Sequence, residues 1–173
     1  MGDDPAFKQS AIILGQELAK NNIRLVYGGG KLGLMGTVAG AARDGKGNVF
    51  GIIPEFLVSM EGVLDGVDHT IVSTMHERKL RMFEEADAFC TLPGGIGTLE
   101  EIIELMSWAR LQLHRKPLIL LNINEFWTPL VELVDHVVDR GFAHPGLKTD
   151  LIVVDRPEDV VPVMNKHLLE EVV

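Results

Sequence analysis

Ala88-Phe89-Cys90-Thr91-Leu92-Pro93-Gly94-Gly95-Ile96-Gly97-Thr98-Leu99-Glu100-Glu101-Ile102-Ile103-Glu104-Leu105-Met106 is the stretch that decides the fold. Its first five residues form a short apolar run closed by proline and glycine, which is the pattern of a buried strand. From Thr98 onward the apolar residues recur with helical spacing. Strand, glycine turn and helix in that order form the building block of parallel α/β sheets. The turn lets the backbone bring bare N–H groups close to a bound group. The first amides of the helix have no partner inside it, and the helix dipole favours an anion there. A phosphate is the natural occupant. Glu100 and Glu101 follow the seat within about a turn, so a nucleotide bound there has its sugar within reach of a carboxylate.

The same alternation extends in both directions. Phe7, Ile12, Ile13, Leu14 and Leu18 keep helical spacing until Asn21-Asn22 stops the run, and Ile23–Tyr27 reads as a strand. After Gly28-Gly29-Gly30 the spacing predicts a helix of small residues over Gly33–Arg43, then a strand over Val49–Ile53 ended by Pro54. Glu55–Asp68 reads as loop or partly helical, and His69–Ser73 as a short strand. Thr74-x-x-Glu77 has the capping-box form and opens a helix to about Glu85. Beyond the key stretch, a helix to about Leu113 leads to a strand at Pro117–Leu121. A helix over Glu125–Arg140, a strand at Leu151–Val154 and a last helix at Pro157–Glu170 complete the series. The fold expected is therefore a Rossmann-like, doubly wound, mostly parallel sheet with helices on both faces. No repeat or linker interrupts it, so residues 1–173 are expected to form a single domain. In such sheets ligands bind outside the carboxyl ends of the strands, so Gly28–Gly30, Pro54 and Pro93–Thr98 are expected on one rim.

Composition narrows the function. The chain has 173 residues, 46% of them hydrophobic and 24% charged, which is ordinary for a soluble globular protein. A net charge of −9 argues against a nucleic-acid partner. No apolar run approaches the ~18 residues of a membrane helix, and the start of the chain lacks the features of a signal peptide, so a cytoplasmic location is expected. The single cysteine, Cys90, reads as inert strand packing. The six histidines are scattered without metal-ligand spacing, so no metal is expected.

Three groups carry chemical meaning, each with a plainer alternative. Gly28-Gly29-Gly30-Lys31-Leu32-Gly33 matches G-x-G-x-x-G and reads as part of a nucleotide rim or as a simple turn. A dinucleotide site wants an acid at the end of the next strand, and Glu55 comes only after Pro54. Arg78 and Lys79 could hold a phosphate or a ribose, or could belong to an exposed helix face in which Glu77 pairs with Arg81. Thr98-x-x-Glu101 is itself a capping box, so Glu101 reads either as a cap or as a carboxylate beside a ligand. Glu100 and Glu104 are like charges four apart, a small cost that a cationic or ligand partner offsets.

Pro93-Gly94-Gly95-x-Gly97-Thr98-x-x-Glu101, with Met75-x-x-Arg78-Lys79 and Tyr27-Gly28-Gly29-Gly30-x-x-Gly33-Leu34-Met35-Gly36 upstream, resembles the "Lonely guy" family over nearly the whole chain, to about Val154. These are cytokinin riboside 5′-monophosphate phosphoribohydrolases, whose members are often mislabelled lysine decarboxylases. The resemblance implies hydrolysis of the N-glycosidic bond of N6-substituted AMP to free base and ribose 5-phosphate, with no cofactor. It also implies a homodimer or higher even homo-oligomer. Its catalytic pair falls on Arg78 and Glu101. Its nucleotide contacts fall on Glu61, Met75, Arg78, Lys79, Gly94, Gly95, Ile96, Gly97, Thr98, Leu99, Glu100 and Ser107. A broader AMP nucleosidase would use the same residues. Molybdenum-cofactor carrier proteins are similar in fold and in their Pro-Gly-Gly loop without being enzymes, but the Arg78 and Glu101 pair favours the enzyme. Family members begin with a strand ending in a Cys-Gly-Ser-Ser-like turn. Met1-Gly2-Asp3-Asp4-Pro5 matches the segment after that turn, so the first strand is expected to be missing from this sequence.

Overall fold

The computed structural model describes residues 2–170. The chain divides into two compact units, Met1–Ala86 and Asp87–Val173. In the first, α1 (Pro5–Lys20) is followed by β1 (Leu25–Tyr27), α2 (Gly33–Asp44), β2 (Val49–Pro54), α3 (Glu55–Glu61), β3 (Asp68–Val72) and α4 (Met75–Glu85). The strands form a parallel sheet in the order β1-β2-β3, with Leu25 opposite Val49 and Pro54 opposite Val72. Asp4 caps α1 by accepting the Ala6 N–H at 2.8 Å, and Pro5 occupies the first turn, where its missing N–H costs nothing. Close approach of α1 to α2 depends on small residues, since a Cβ on Gly15 would meet the Ala41 side chain at 2.8 Å. Tyr27, Ala39, Ala42 and Val49 pack together between α2 and the sheet.

The second unit runs β4 (Phe89–Thr91), α5 (Ile96–Arg110), β5 (Leu118–Leu121), α6 (Thr128–Asp139), α7 (Leu147–Asp150), β6 (Leu151–Val154) and α8 (Val160–Glu170). Its sheet is also parallel, in the order β4-β5-β6, with Leu118 between Phe89 and Leu151. Ile102 and Met106 of α5 meet Leu118, Leu120, Trp127 and Leu130 in its core.

The parallel α/β class is the one the alternation implies, but the strands pair as two three-stranded sheets, with β1 and β4 each at the end of its own ladder. Helix ends differ from the periodicity in instructive ways. The run into Leu113 is cut at Arg110, because Gln112 turns left-handed (φ 58°). Its N–H and that of Leu113 then bond back to Ala109 and Trp108. This is a Schellman stop with glutamine in glycine's usual place. The start expected at Glu125 moves to Thr128, because Asn124 and Glu125 are left-handed and the Asn122 side chain accepts the Trp127 N–H at 2.7 Å. Among the described residues no helix is long and apolar enough to cross a membrane.

Candidate active site

The first unit gathers its candidates at the carboxyl ends of β1 and β2. β1 runs directly into Gly28-Gly29-Gly30. Gly29 is left-handed (φ 80°), and a Cβ there would meet the buried Ile53 side chain at 2.7 Å, so glycine is required twice over. Below this turn lies Arg78, in the first turn of α4 and only 9% exposed. Its Nε donates to the Ile52 carbonyl at 3.3 Å, and one terminal N–H reaches the Gly28 carbonyl at 3.5 Å. A Cβ on Gly28 would collide with that guanidinium and would lie 2.8 Å from the Met35 sulfur. The glycine is there to admit the arginine. Burying a guanidinium costs several kcal/mol (order of magnitude) unless partners offset it, which is an unusual outlay for a helix whose other face is charged and wet.

The start of α4 explains the inward aim of Arg78. The Thr74 hydroxyl accepts the Glu77 N–H at 3.1 Å, and the Glu77 carboxylate accepts the Ser73 N–H at 2.9 Å. Glu77 is thus spent on the cap, and Arg81 donates to the Thr70 hydroxyl at 3.4 Å. The expected Glu77–Arg81 pair does not form, and the exposed-face reading fails for Arg78 while Lys79 is half-buried. Met75, the first residue of α4, is exposed. Glu61 closes α3, and its carboxylate fills the space that a Cβ on Gly30 would need. Gly28, Gly30, Glu61 and Arg78, spread over fifty residues of sequence, therefore form one cluster.

In the second unit, β4 passes through Pro93 and Gly94 to Gly95, the N-cap of α5. No side chain caps this helix, which begins at Ile96, itself 85% exposed. The expected start at Thr98 is corrected by two residues. Thr98 lies inside the first turn, and its side chain folds over Gly94, whose Cβ it would strike. The first intrahelical bond runs from the Leu99 N–H to the Gly95 carbonyl at 3.1 Å. Glu101 consequently sits in the second turn and is half-buried, too far along to close a capping box with Thr98. A Cβ on Gly95 or Gly97 would meet nothing within 4 Å, so the approach to the first amides is open. Those amides and the dipole suit an anion, and Glu100 and Glu101 follow in the second turn of the helix.

Ser107 lies further along α5. About 16 Å of helix separate it from Ile96, it aligns with Glu100 and Ile103 rather than Glu101, and its hydroxyl donates to the Ile103 carbonyl at 2.7 Å. Cys90 is half-buried in β4, and burial pushes its thiol up to about 12, which leaves it protonated and unreactive at neutral pH. Among the described residues no group of three or more His, Cys, Asp or Glu is placed to hold a metal ion. Sequence reasoning missed the dependence of Gly28 on Arg78 and of Gly30 on Glu61. The glycines were visible, but nothing local says which side chain fills the space beside them.

The model of a family described as "Possible lysine decarboxylase" matches residues 35–164. A probable cytokinin riboside 5′-monophosphate phosphoribohydrolase of Oryza sativa subsp. japonica is 40% identical over 167 residues, covering 96% of this chain and 68% of its own. A cytokinin riboside 5′-monophosphate phosphoribohydrolase of Rhodococcoides fascians is 44% identical over 166 residues, covering 95% of this chain and 84% of its own. An Arabidopsis thaliana enzyme of the same name is 40% identical, with 96% and 77% covered. Among solved structures, the molybdenum cofactor binding protein of Rippkaea orientalis superposes with a TM-score of 0.72 at 21% identity, over 94% of this chain and 88% of that one. The Moco carrier protein of Chlamydomonas reinhardtii gives 0.70 at 19%, over 96% and 90%. At those identities the likeness extends to the fold alone.

Proposed function

We propose, because the chain belongs to the cytokinin riboside 5′-monophosphate phosphoribohydrolase family, that it hydrolyses the N-glycosidic bond of N6-substituted AMP, releasing free base and ribose 5-phosphate. The observation that carries this reading is the uncapped start of α5 behind Pro93-Gly94-Gly95, with Glu101 one turn further along. The amides of that first turn and Thr98 hold the 5′-phosphate, with Gly94–Glu100 around it. Binding energy from this remote group positions the scissile bond. As the bond from C1′ to the base breaks, its electron pair leaves with the base and the ribose becomes oxocarbenium-like. The Glu101 carboxylate stabilises that charge and takes a proton from the water that adds to C1′; that proton then passes through solvent to the departing base, which leaves neutral as the carboxylate is restored. Arg78, Lys79, Met75 and Glu61 are the further proposed nucleotide contacts, Arg78 donating to the Ile52 and Gly28 carbonyls. Ser107 is the weakest of the proposed contacts for the reasons of distance given above.

The two units function as one domain, in a homodimer or higher even homo-oligomer in the cytoplasm, with no metal, organic cofactor or nucleic acid. The test is chromatographic: incubate the protein with N6-isopentenyl-AMP, AMP and other nucleoside monophosphates and measure released base. Faster release of isopentenyladenine than of adenine supports the reading. Equal rates indicate a general AMP nucleosidase. No base from any nucleotide, with molybdopterin co-purifying, would overturn it in favour of a carrier.

A further inference from the structure

We propose that Lys31 is a positioning residue for Glu61, acting through a reciprocal clasp between the glycine turn after β1 and the end of α3. The proposal rests on the reading above, in which Glu61 contacts the nucleotide. Gly30 and Val63 form an isolated antiparallel bridge, and the Lys31 N–H donates to the Gly62 carbonyl at 3.3 Å. On one side of this bridge the Glu61 carboxylate occupies the space a Gly30 Cβ would need. On the other side Lys31 lies across Gly62: a Cβ there would be 3.2 Å from its Cδ, 2.7 Å from its Cε and 3.0 Å from its Nζ. Each segment thus supplies the glycine that admits the other's charged side chain. Gly62 is also left-handed, φ 67°, which favours glycine on conformational grounds.

The clasp matters because α3 is a short helix of seven residues. None of its residues is buried, so core packing does not fix where Glu61, its last residue, comes to lie. One bridge with one hydrogen bond is a marginal tie. The methylene stem of Lys31, laid over the Gly62 backbone while its ammonium remains in water, adds the contact area that holds the end of α3 against the turn. The stem, not the charge, is the working part.

A double-mutant cycle tests this, read both as the KM for release of isopentenyladenine from N6-isopentenyl-AMP and as the Kd for that nucleotide by calorimetry. Lys31→Ala raises KM and Kd about five-fold, with kcat and the unfolding midpoint nearly unchanged, on the scale of one lost contact. Lys31→Met, which keeps the stem, restores both. In a Glu61→Gln background, Lys31→Ala adds less than about 1.5-fold, because the carboxylate it positions is gone. Equal losses in Lys31→Met and Lys31→Ala overturn the proposal, since the ammonium then acts directly. So do additive effects of Lys31→Ala and Glu61→Gln in an active wild type. A wild type that binds the nucleotide without releasing base removes the hydrolase reading alone, and the cycle in Kd still decides for or against the clasp. A wild type that does neither overturns both.

Discussion

The glycine turn after β1 is filled, whereas the one after β4 is largely open. In the first unit the missing side chains of Gly28 and Gly30 make room for the Arg78 guanidinium and the Glu61 carboxylate. In the second, Gly94 receives Thr98, but Gly95 and Gly97 face empty space. The helix starts differ in the same sense. Thr74 and Glu77 close the start of α4, while α5 begins with no side-chain cap. One pattern of strand, glycine and helix therefore supports two kinds of recognition. Packed glycines fix charged side chains at a chosen point, and bare glycines leave backbone amides available to an anion.

Five substitutions test that contrast, and a sixth probes β4 beside it. Glu101→Gln carries the largest expected effect. Turnover falls by about two orders of magnitude or more, the usual scale for losing a general acid–base group, while calorimetric nucleotide affinity stays close to wild type because the amide seat is intact. Next is a matched pair of alanines. Gly28→Ala displaces Arg78, lowers kcat/KM about ten-fold and costs about 1–3 kcal/mol in urea unfolding, as overpacking does. Gly95→Ala costs less, within about 1 kcal/mol, because its Cβ meets nothing and alanine is only a poorer N-cap than glycine. Equal destabilisation by the two would erase the distinction between filled and open turns.

Exchanging the caps has a smaller effect on stability. Thr74→Ala costs about 1 kcal/mol of stability. Gly95→Asp should gain a few tenths of a kcal/mol by capping α5, yet raise KM about ten-fold by placing a carboxylate on the amides meant for phosphate. The smallest effect is at Cys90. Its folded pKa of about 12 lies above the unfolded value near 9. The contribution of the neutral buried thiol is fully present below the unfolded pKa and is lost as pH rises from there toward the folded one. Stability measured between pH 6 and 8 should carry almost no slope from this group, and the fall above pH 9 should be shallower in Cys90→Ala.

How much of this was legible follows from the range of the forces. Whether a segment is a strand or a helix depends on periodicity within a dozen residues, and the alternation from Leu25 to Val154 is present in the sequence. The Thr74–Glu77 cap was visible because its partners are three residues apart. The second box, Thr98–Glu101, has the same spelling and does not form, because Thr98 packs onto Gly94 and the helix starts earlier, at Ile96. Local spelling could not separate the two. Nor could it show that Glu77 would bond Ser73 in place of pairing with Arg81.

By itself the sequence determined the parallel α/β class, the strand–glycine–helix motif and the family. All of these rest on local pattern, which is set by backbone hydrogen bonding and the placement of apolar residues. Only the tertiary structure decided that Arg78 is buried beneath Gly28, that Glu61 lies against Gly30, and that Lys31 crosses Gly62. Each of these is a question of which volume a distant side chain occupies. Excluded volume between residues far apart in the chain leaves no trace in spacing, beyond a glycine whose reason is not yet apparent.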